Sequence, residues 1–450
     1  MITSSLGGFH PMKVRLTLVL ALALAGHFAL AGAQGPAQEH WVATWATAQL
    51  LARFQAAPPP GVPPAAQPAT PAQQAAAWLQ AINSLGFNNQ TVRMIVRTSI
   101  GGRRLRVTLS NAFGGAPVAV GAAHIALRAK DSEIVPGSDR ALSFGGKPSC
   151  ALGPGMVMLS DPVDLTVPPS SDLAVSLYFP GQTGPPTSHA TGLHTTYVST
   201  EGDATGQAAL AGALTTQSYY WLSAVDVLAP ANAGLIVAFG DSITDGARST
   251  PDTNHSWPAL LAARLGANKA TAGFAVANEG IGGNRVLRDG TGSSALARFD
   301  RDALSQAGVK WVMLLEGIND IGRIATAPAE APSAEDLIAA YKQIIERAHT
   351  HGIAVVGCTL TPYEGASYSR ESGEAIREAV NAWIRTGGAF DAVADFEAAT
   401  RDPANPKRIR ADFDPGDHLH PNDAGYQAMA DAVNLSIFTG KPPAPAAKKR

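Results

Sequence analysis

The sequence predicts an antiparallel β-sandwich or jelly roll followed by a parallel, doubly wound α/β sheet, and a change of rhythm near residue 230 carries that prediction. Before it, apolar positions recur every second residue between clusters of Gly, Pro, Ser and Asp; after about residue 233 the pattern becomes strand, loop and helix. The chain's 450 residues exceed one ordinary core, and 46% hydrophobic residues are ample to fill two. A net charge of −2 implies no general attraction to nucleic acid or to an anionic membrane.

Taken in order, Lys13 and Arg15 precede an apolar run over residues 16–24, and Ala31-Gly32-Ala33 follows. That is the layout of a secretory signal over residues 1–33, cleaved after Ala33, because the run is short for a bilayer span. Met12 is an alternative start. A secreted or periplasmic protein with no stable membrane insertion is expected.

Residues 34–230 read as the β-domain. A strand is predicted at 41–46, where Trp41 and Trp45 suit core or interdomain packing better than stacking on a sugar. A Pro/Ala-rich insertion near 56–75 is expected to be mobile. Val92, Met94 and Val96 alternate with Arg93, Ile95 and Arg97; beyond the Gly101-Gly102 turn, Leu105, Val107 and Leu109 do the same. Further strands are predicted at 118–127, 156–159, 173–179, 194–200 and 219–227, which together suggest the sandwich.

Residues 231–439 read as the α/β domain, with strands at 235–239, 274–277, 311–315, 353–360 and 390–396. Helices are expected at 257–265, 375–385 and 424–438. Another is capped by Ser333 and Asp336, carries the apolar face Leu337, Ile338, Tyr341, Ile344, Ile345 and Ala348, and ends at Gly352. Such a sheet binds ligands at its carboxyl edge. Residues 440–450 read as a disordered tail. Cys150 and Cys358 fall one in each domain and are expected to stay unpaired, the latter in a buried strand.

Chemistry concentrates in four blocks. The first strand of the α/β region ends in Gly240-Asp241-Ser242-Ile243-Thr244-Asp245-Gly246, and the far end carries Asp417-His418-Leu419-His420-Pro421. A serine hydroxyl needs an imidazole to take its proton and an acid to fix that imidazole's tautomer, roles that Ser242, His420 and Asp417 fill. Between them lie the glycine-rich block 278–285 and Glu316-Gly317-Ile318-Asn319-Asp320. With Ser242, Gly283, Asn319 and His420 in order, the chain from about residue 233 to 438 resembles the GDSL/SGNH family of serine ester hydrolases, Ile243 replacing the Leu of the signature. The resemblance implies a flavodoxin-like three-layer α/β fold and no cofactor. The N–H groups of Ser242 and Gly283 and the Asn319 amide could form an oxyanion hole.

Rival readings are weaker. An α/β-hydrolase elbow wants glycine where Thr244 stands, and its acid and histidine come from separate loops. A metal site of Asp414, Asp417, His418 and His420 lacks a second ligand cluster. Arg285 is either a substrate-orienting or a solvated side chain, and Asp245, Glu316 and Asp320 read as loop-fixing. The expected activity is hydrolysis of acyl or acetyl esters, a carbohydrate or aryl ester being favoured. The alternatives are a lipase or lysophospholipase of the same family, or a glycan-binding protein on a silent scaffold.

Overall fold

The computed structural model describes residues 39–51 and 71–440. The predicted signal, most of the Pro/Ala-rich insertion and the predicted tail beyond 440 lie outside the described residues. The end of that insertion is helical: Pro71–Leu85 forms a helix whose first residue is the proline, a position where its missing N–H costs nothing.

Two antiparallel sheets make up most of the region to residue 230. In one, Glu39–Ala46, Leu222–Pro230, Gly102–Ser110 and Val157–Leu159 lie side by side, with Val163–Val167 also on Gly102–Ser110. In the other, Leu214–Thr216, Thr196–Val198, Gln90–Arg97, Asp172–Phe179, Ala122–Lys130 and Glu133–Ile134 follow one another. The alternating strand predicted around residue 94 is Gln90–Arg97, and both of its faces are covered. Val92, Met94 and Val96 enter the main core, while Ile95 packs with Ala126 and Ala174 on the other side. Arg93, fully buried beside them, donates to Ser176 Oγ and to the carbonyls of Ser132, Thr205 and Gln207, so its charge is satisfied by loops that fold over the sheet.

Beyond residue 233 a five-stranded parallel sheet has the order Phe274–Gly280, Gly234–Gly240, Val309–Leu315, Ala354–Cys358, Ala392–Ala394. Its first strand in sequence is flanked on both sides and buried throughout, as its unbroken apolar run requires. The chain leaves that strand toward opposite neighbours, which opens a crevice at the carboxyl edge where Gly240 ends. Helices Trp257–Ala267, Ala334–Thr350, Glu371–Thr386 and Asp423–Ala432 pack around it. The predicted capping box is formed, Ser333 Oγ accepting the Asp336 N–H and Asp336 the Ser333 N–H. The predicted 424–438 helix stops at Ala432, and a 3-10 turn, Leu435–Thr439, follows under an Asn434 cap.

The two regions share one buried cluster that runs from Val42 to Phe438. Ala43 donates its N–H to the Ala307 carbonyl, Ser99 Oγ donates to the Val276 carbonyl, and Thr47 bridges Asn278 in parallel. Cys150 is half-buried, Cys358 is buried in its strand, and both are free. Among the described residues no helix is long and apolar enough to cross a membrane.

Candidate active site

Three strands of the parallel sheet deliver three of the predicted residues to one edge: Ser242 follows Gly234–Gly240, Gly283 follows Phe274–Gly280 and Asn319 follows Val309–Leu315. Ser242 opens the short helix Ser242–Asp245, capped by the Asp241 carboxylate on the Ile243 N–H at 2.9 Å. Gly240 is crowded: a Cβ there would sit 2.2 Å from the Leu315 carbonyl oxygen, so only glycine lets the chain turn.

Ser242 Oγ lies 2.8 Å from His420 Nε2, and His420 Nδ1 lies 2.9 Å from Asp417 Oδ2. The other Asp417 oxygen accepts the N–H groups of Leu419 and His420 at 3.1 and 3.0 Å, which fixes the carboxylate under the ring. Partial burial works against its charge, but the hydrogen bonds from His420 and from Arg248 Nε at 2.9 Å outweigh it and hold the carboxyl well below the usual range. An ionised Asp417 requires the proton on Nδ1, which leaves the Nε2 lone pair facing the serine.

The N–H groups of Ser242 and Gly283 have no hydrogen-bond partner among the described residues. Gly283 has φ +75°, and a Cβ there would lie 2.8 Å from Thr291 Oγ1. Asn319 spends one amide N–H on the Asn284 carbonyl at 2.9 Å, which orients the group and leaves its second N–H unused. The sequence-predicted five therefore meet at one edge, with two backbone donors and one amide donor unspent beside a serine–histidine–aspartate relay.

Asp414 and His418 pair with each other instead of joining the relay. Among the described residues no three His, Cys, Asp or Glu side chains gather to hold a metal ion. Asp320 fixes the glycine block by accepting the N–H groups of Val286 and Leu287, and Arg285 pairs with Glu330.

Beneath the site lies a network that no motif announced. Arg298, fully buried, donates to Asn284 Oδ1 and to the carbonyls of Glu279 and Gly240, tying the first two blocks together. Burial pushes the Asp320 carboxyl up to about 6, and burial with nearby Asp320 and Asp245 pushes Asp241 up to about 7. Glu316 is raised well above its ordinary value, first by burial and then by Asp241. His189, from the N-terminal region, reaches Asp245 at 3.0 Å. Arg298 and His189 stand in stretches with no sequence signature, so only their spatial partners identify them.

Residues 238–428 match the model of the GDSL-like Lipase/Acylhydrolase family. No curated protein matches the chain. Among solved structures it is similar to an acetylxylan esterase from Geobacillus stearothermophilus, at 23% identity over 46% of this chain and 94% of that one, with a TM-score of 0.35. It is also similar to a second acetyl xylan esterase (23%, 44% and 96%, TM-score 0.34) and to an α/β hydrolase enzyme from the metagenome of Lake Arreo, Spain (21%, 46% and 96%, TM-score 0.36). The chain thus carries a GDSL-like lipase/acylhydrolase domain, and it is a carboxylic ester hydrolase.

Proposed function

We propose that the protein is an exported serine hydrolase that cleaves acyl or acetyl esters through an acyl-serine intermediate, with a carbohydrate or aryl alcohol as leaving group. The observation that carries this reading is the relay Ser242 Oγ, His420, Asp417, with both contacts under 3 Å. His420 Nε2 takes the Ser242 proton as Oγ attacks the ester carbon. Negative charge then develops on the former carbonyl oxygen, where the N–H groups of Ser242 and Gly283 and the free Asn319 N–H stabilise it. Collapse expels the alcohol, which takes the proton from His420. Water repeats the sequence on the acyl-serine, so that acid leaves and Ser242 is restored.

A cavity of about 140 Å³ lies beside the glycine turn, between His189, Asp245, Ile281 and Gly282, and none of Ser242, Asn319, Asp417 or His420 lines it. Export rests on the charged and apolar layout of residues 1–33. The strand order of the parallel sheet favours a flavodoxin-like layered fold, and the two antiparallel sheets favour a sandwich before it.

Ser242→Ala should lower kcat on p-nitrophenyl acetate by about 10⁴- to 10⁶-fold, because members of such a relay act as a unit. A purified variant that keeps half the wild-type rate would remove the nucleophile assignment.

A further inference from the structure

The N-terminal region touches the glycine turn through one buried imidazole. His189 closes the short strand Thr187–His189, which pairs with Tyr219–Tyr220 on one side and Leu50–Leu51 on the other. Its Nδ1 lies 2.9 Å from the Ala48 carbonyl oxygen and its Nε2 3.0 Å from Asp245 Oδ1. A carbonyl oxygen only accepts, so Nδ1 carries a proton. Burial opposes a charge on the ring, but the Asp245 carboxylate, with the carbonyls of Ala48 and Thr191, outweighs it and raises the pKa.

Asp245 ends the helix that Ser242 begins, and its second oxygen accepts the Gly282 N–H at 3.2 Å. The next N–H along the chain is that of Gly283. There is little slack in this arrangement: a Cβ on Gly280 would sit 2.2 Å from the Asp245 nitrogen. Both members of the pair are almost wholly buried, at 4% and 5% side-chain exposure. Without the imidazole, Asp245 would hold a buried unpaired charge, and turning it toward the adjoining cavity would release Gly282.

We propose that His189 is a positioning residue for ester hydrolysis: through Asp245 it locks the nucleophile's helix and the Gly282–Gly283 peptide in mutual register. The N-terminal region would thereby complete the oxyanion hole without touching substrate. The proposal rests on reading Ser242 as nucleophile and Gly283 as an oxyanion donor. A drifting donor weakens transition-state stabilisation and leaves ground-state binding nearly intact.

The test is p-nitrophenyl acetate kinetics of wild type, Ser242→Ala, His189→Asn and His189→Gln, each checked for native circular dichroism. An Asn amide nitrogen falls near the lost Nδ1 and keeps the Ala48 contact, whereas a Gln amide reaches the lost Nε2 and keeps the Asp245 contact. His189→Asn should lower kcat about 10- to 100-fold with KM within about twofold, less than direct loss of a donor, and His189→Gln should recover most of it. A side chain that only fills space would alter thermal stability and leave the two folded variants with equal kcat. Wild-type kcat in folded His189→Asn, a loss confined to KM, or Gln no better than Asn would overturn the proposal. If His189→Asn does not fold, Asp245→Asn decides, since it keeps the shape and loses the charge pair: a kcat loss of at least about tenfold supports the proposal and an unchanged kcat overturns it. An active Ser242→Ala would instead overturn the nucleophile reading on which the proposal stands.

Discussion

Asp241 illustrates what a single buried carboxyl does beside Ser242. In the unfolded chain it ionises in the ordinary range, while in the fold burial holds it protonated up to about pH 7. The stability it allows is therefore full below the ordinary carboxylate range, falls as pH rises, and is lost above about 7. Asp241→Asn removes that linkage and still offers an oxygen to the Ile243 N–H. The variant's stability relative to wild type should rise between about pH 4 and 8, by on the order of 1–4 kcal/mol, in urea melts at the two ends. A difference independent of pH would contradict the protonated Asp241. Asp417 behaves in the opposite sense: held ionised by His420 and Arg248, it loses its contribution only as pH falls below the usual carboxylate range. For Asn319 the prediction is kinetic. In the proposed oxyanion hole its unspent N–H meets charge that exists only in the transition state, so Asn319→Ala should lower kcat by about 10²- to 10³-fold with little change in KM. An unchanged kcat with a large rise in KM would make it a substrate-binding residue.

Elements differ in how openly the sequence declares them. Strand Gly234–Gly240 is an unbroken apolar run between glycines, and its neighbours Phe274–Gly280 and Val309–Leu315 carry shorter apolar runs, 274–277 and 311–315, from which their positions follow. The helix Ala334–Thr350 announces itself by its cap and apolar face. Removing that cap with Ser333→Ala should cost about 1 kcal/mol of stability with activity unchanged; a midpoint equal to wild type in urea would show the box to be idle. The helix Pro71–Leu85 escaped because its Ala-rich, weakly amphipathic stretch directly continues a proline-rich one. Within Gln90–Arg97 the strand was legible but the burial of Arg93 was not: alternation records which side chains differ, and a loop that folds over a sheet can bury an arginine as completely as a valine. The site was legible because its residues sit in contiguous blocks, three of them just past a strand end and Asp417 with His420 in one loop before the helix Asp423–Ala432. Arg298 and His189 were not, since their partners lie far away in sequence and their identities carry no spacing rule.

At the scale of the molecule, the N-terminal sheets and the parallel sheet share a buried cluster and exchange buried hydrogen bonds at Ser99, Ala43 and His189. A truncated chain beginning near Pro230 would expose that apolar surface and strip Asp245 of its partner. It should be insoluble, or folded and impaired on p-nitrophenyl acetate; a folded truncation with undiminished rate would make the N-terminal region a detachable module. The central claim, that Ser242 is the nucleophile of this ester hydrolase, is tested most directly by covalent trapping in the full-length enzyme. After treatment with a fluorophosphonate ester, peptide mapping by mass spectrometry should find a single phosphonyl adduct on Ser242, formed in step with loss of activity. An adduct on another residue, or complete inactivation with Ser242 unmodified, would contradict the account.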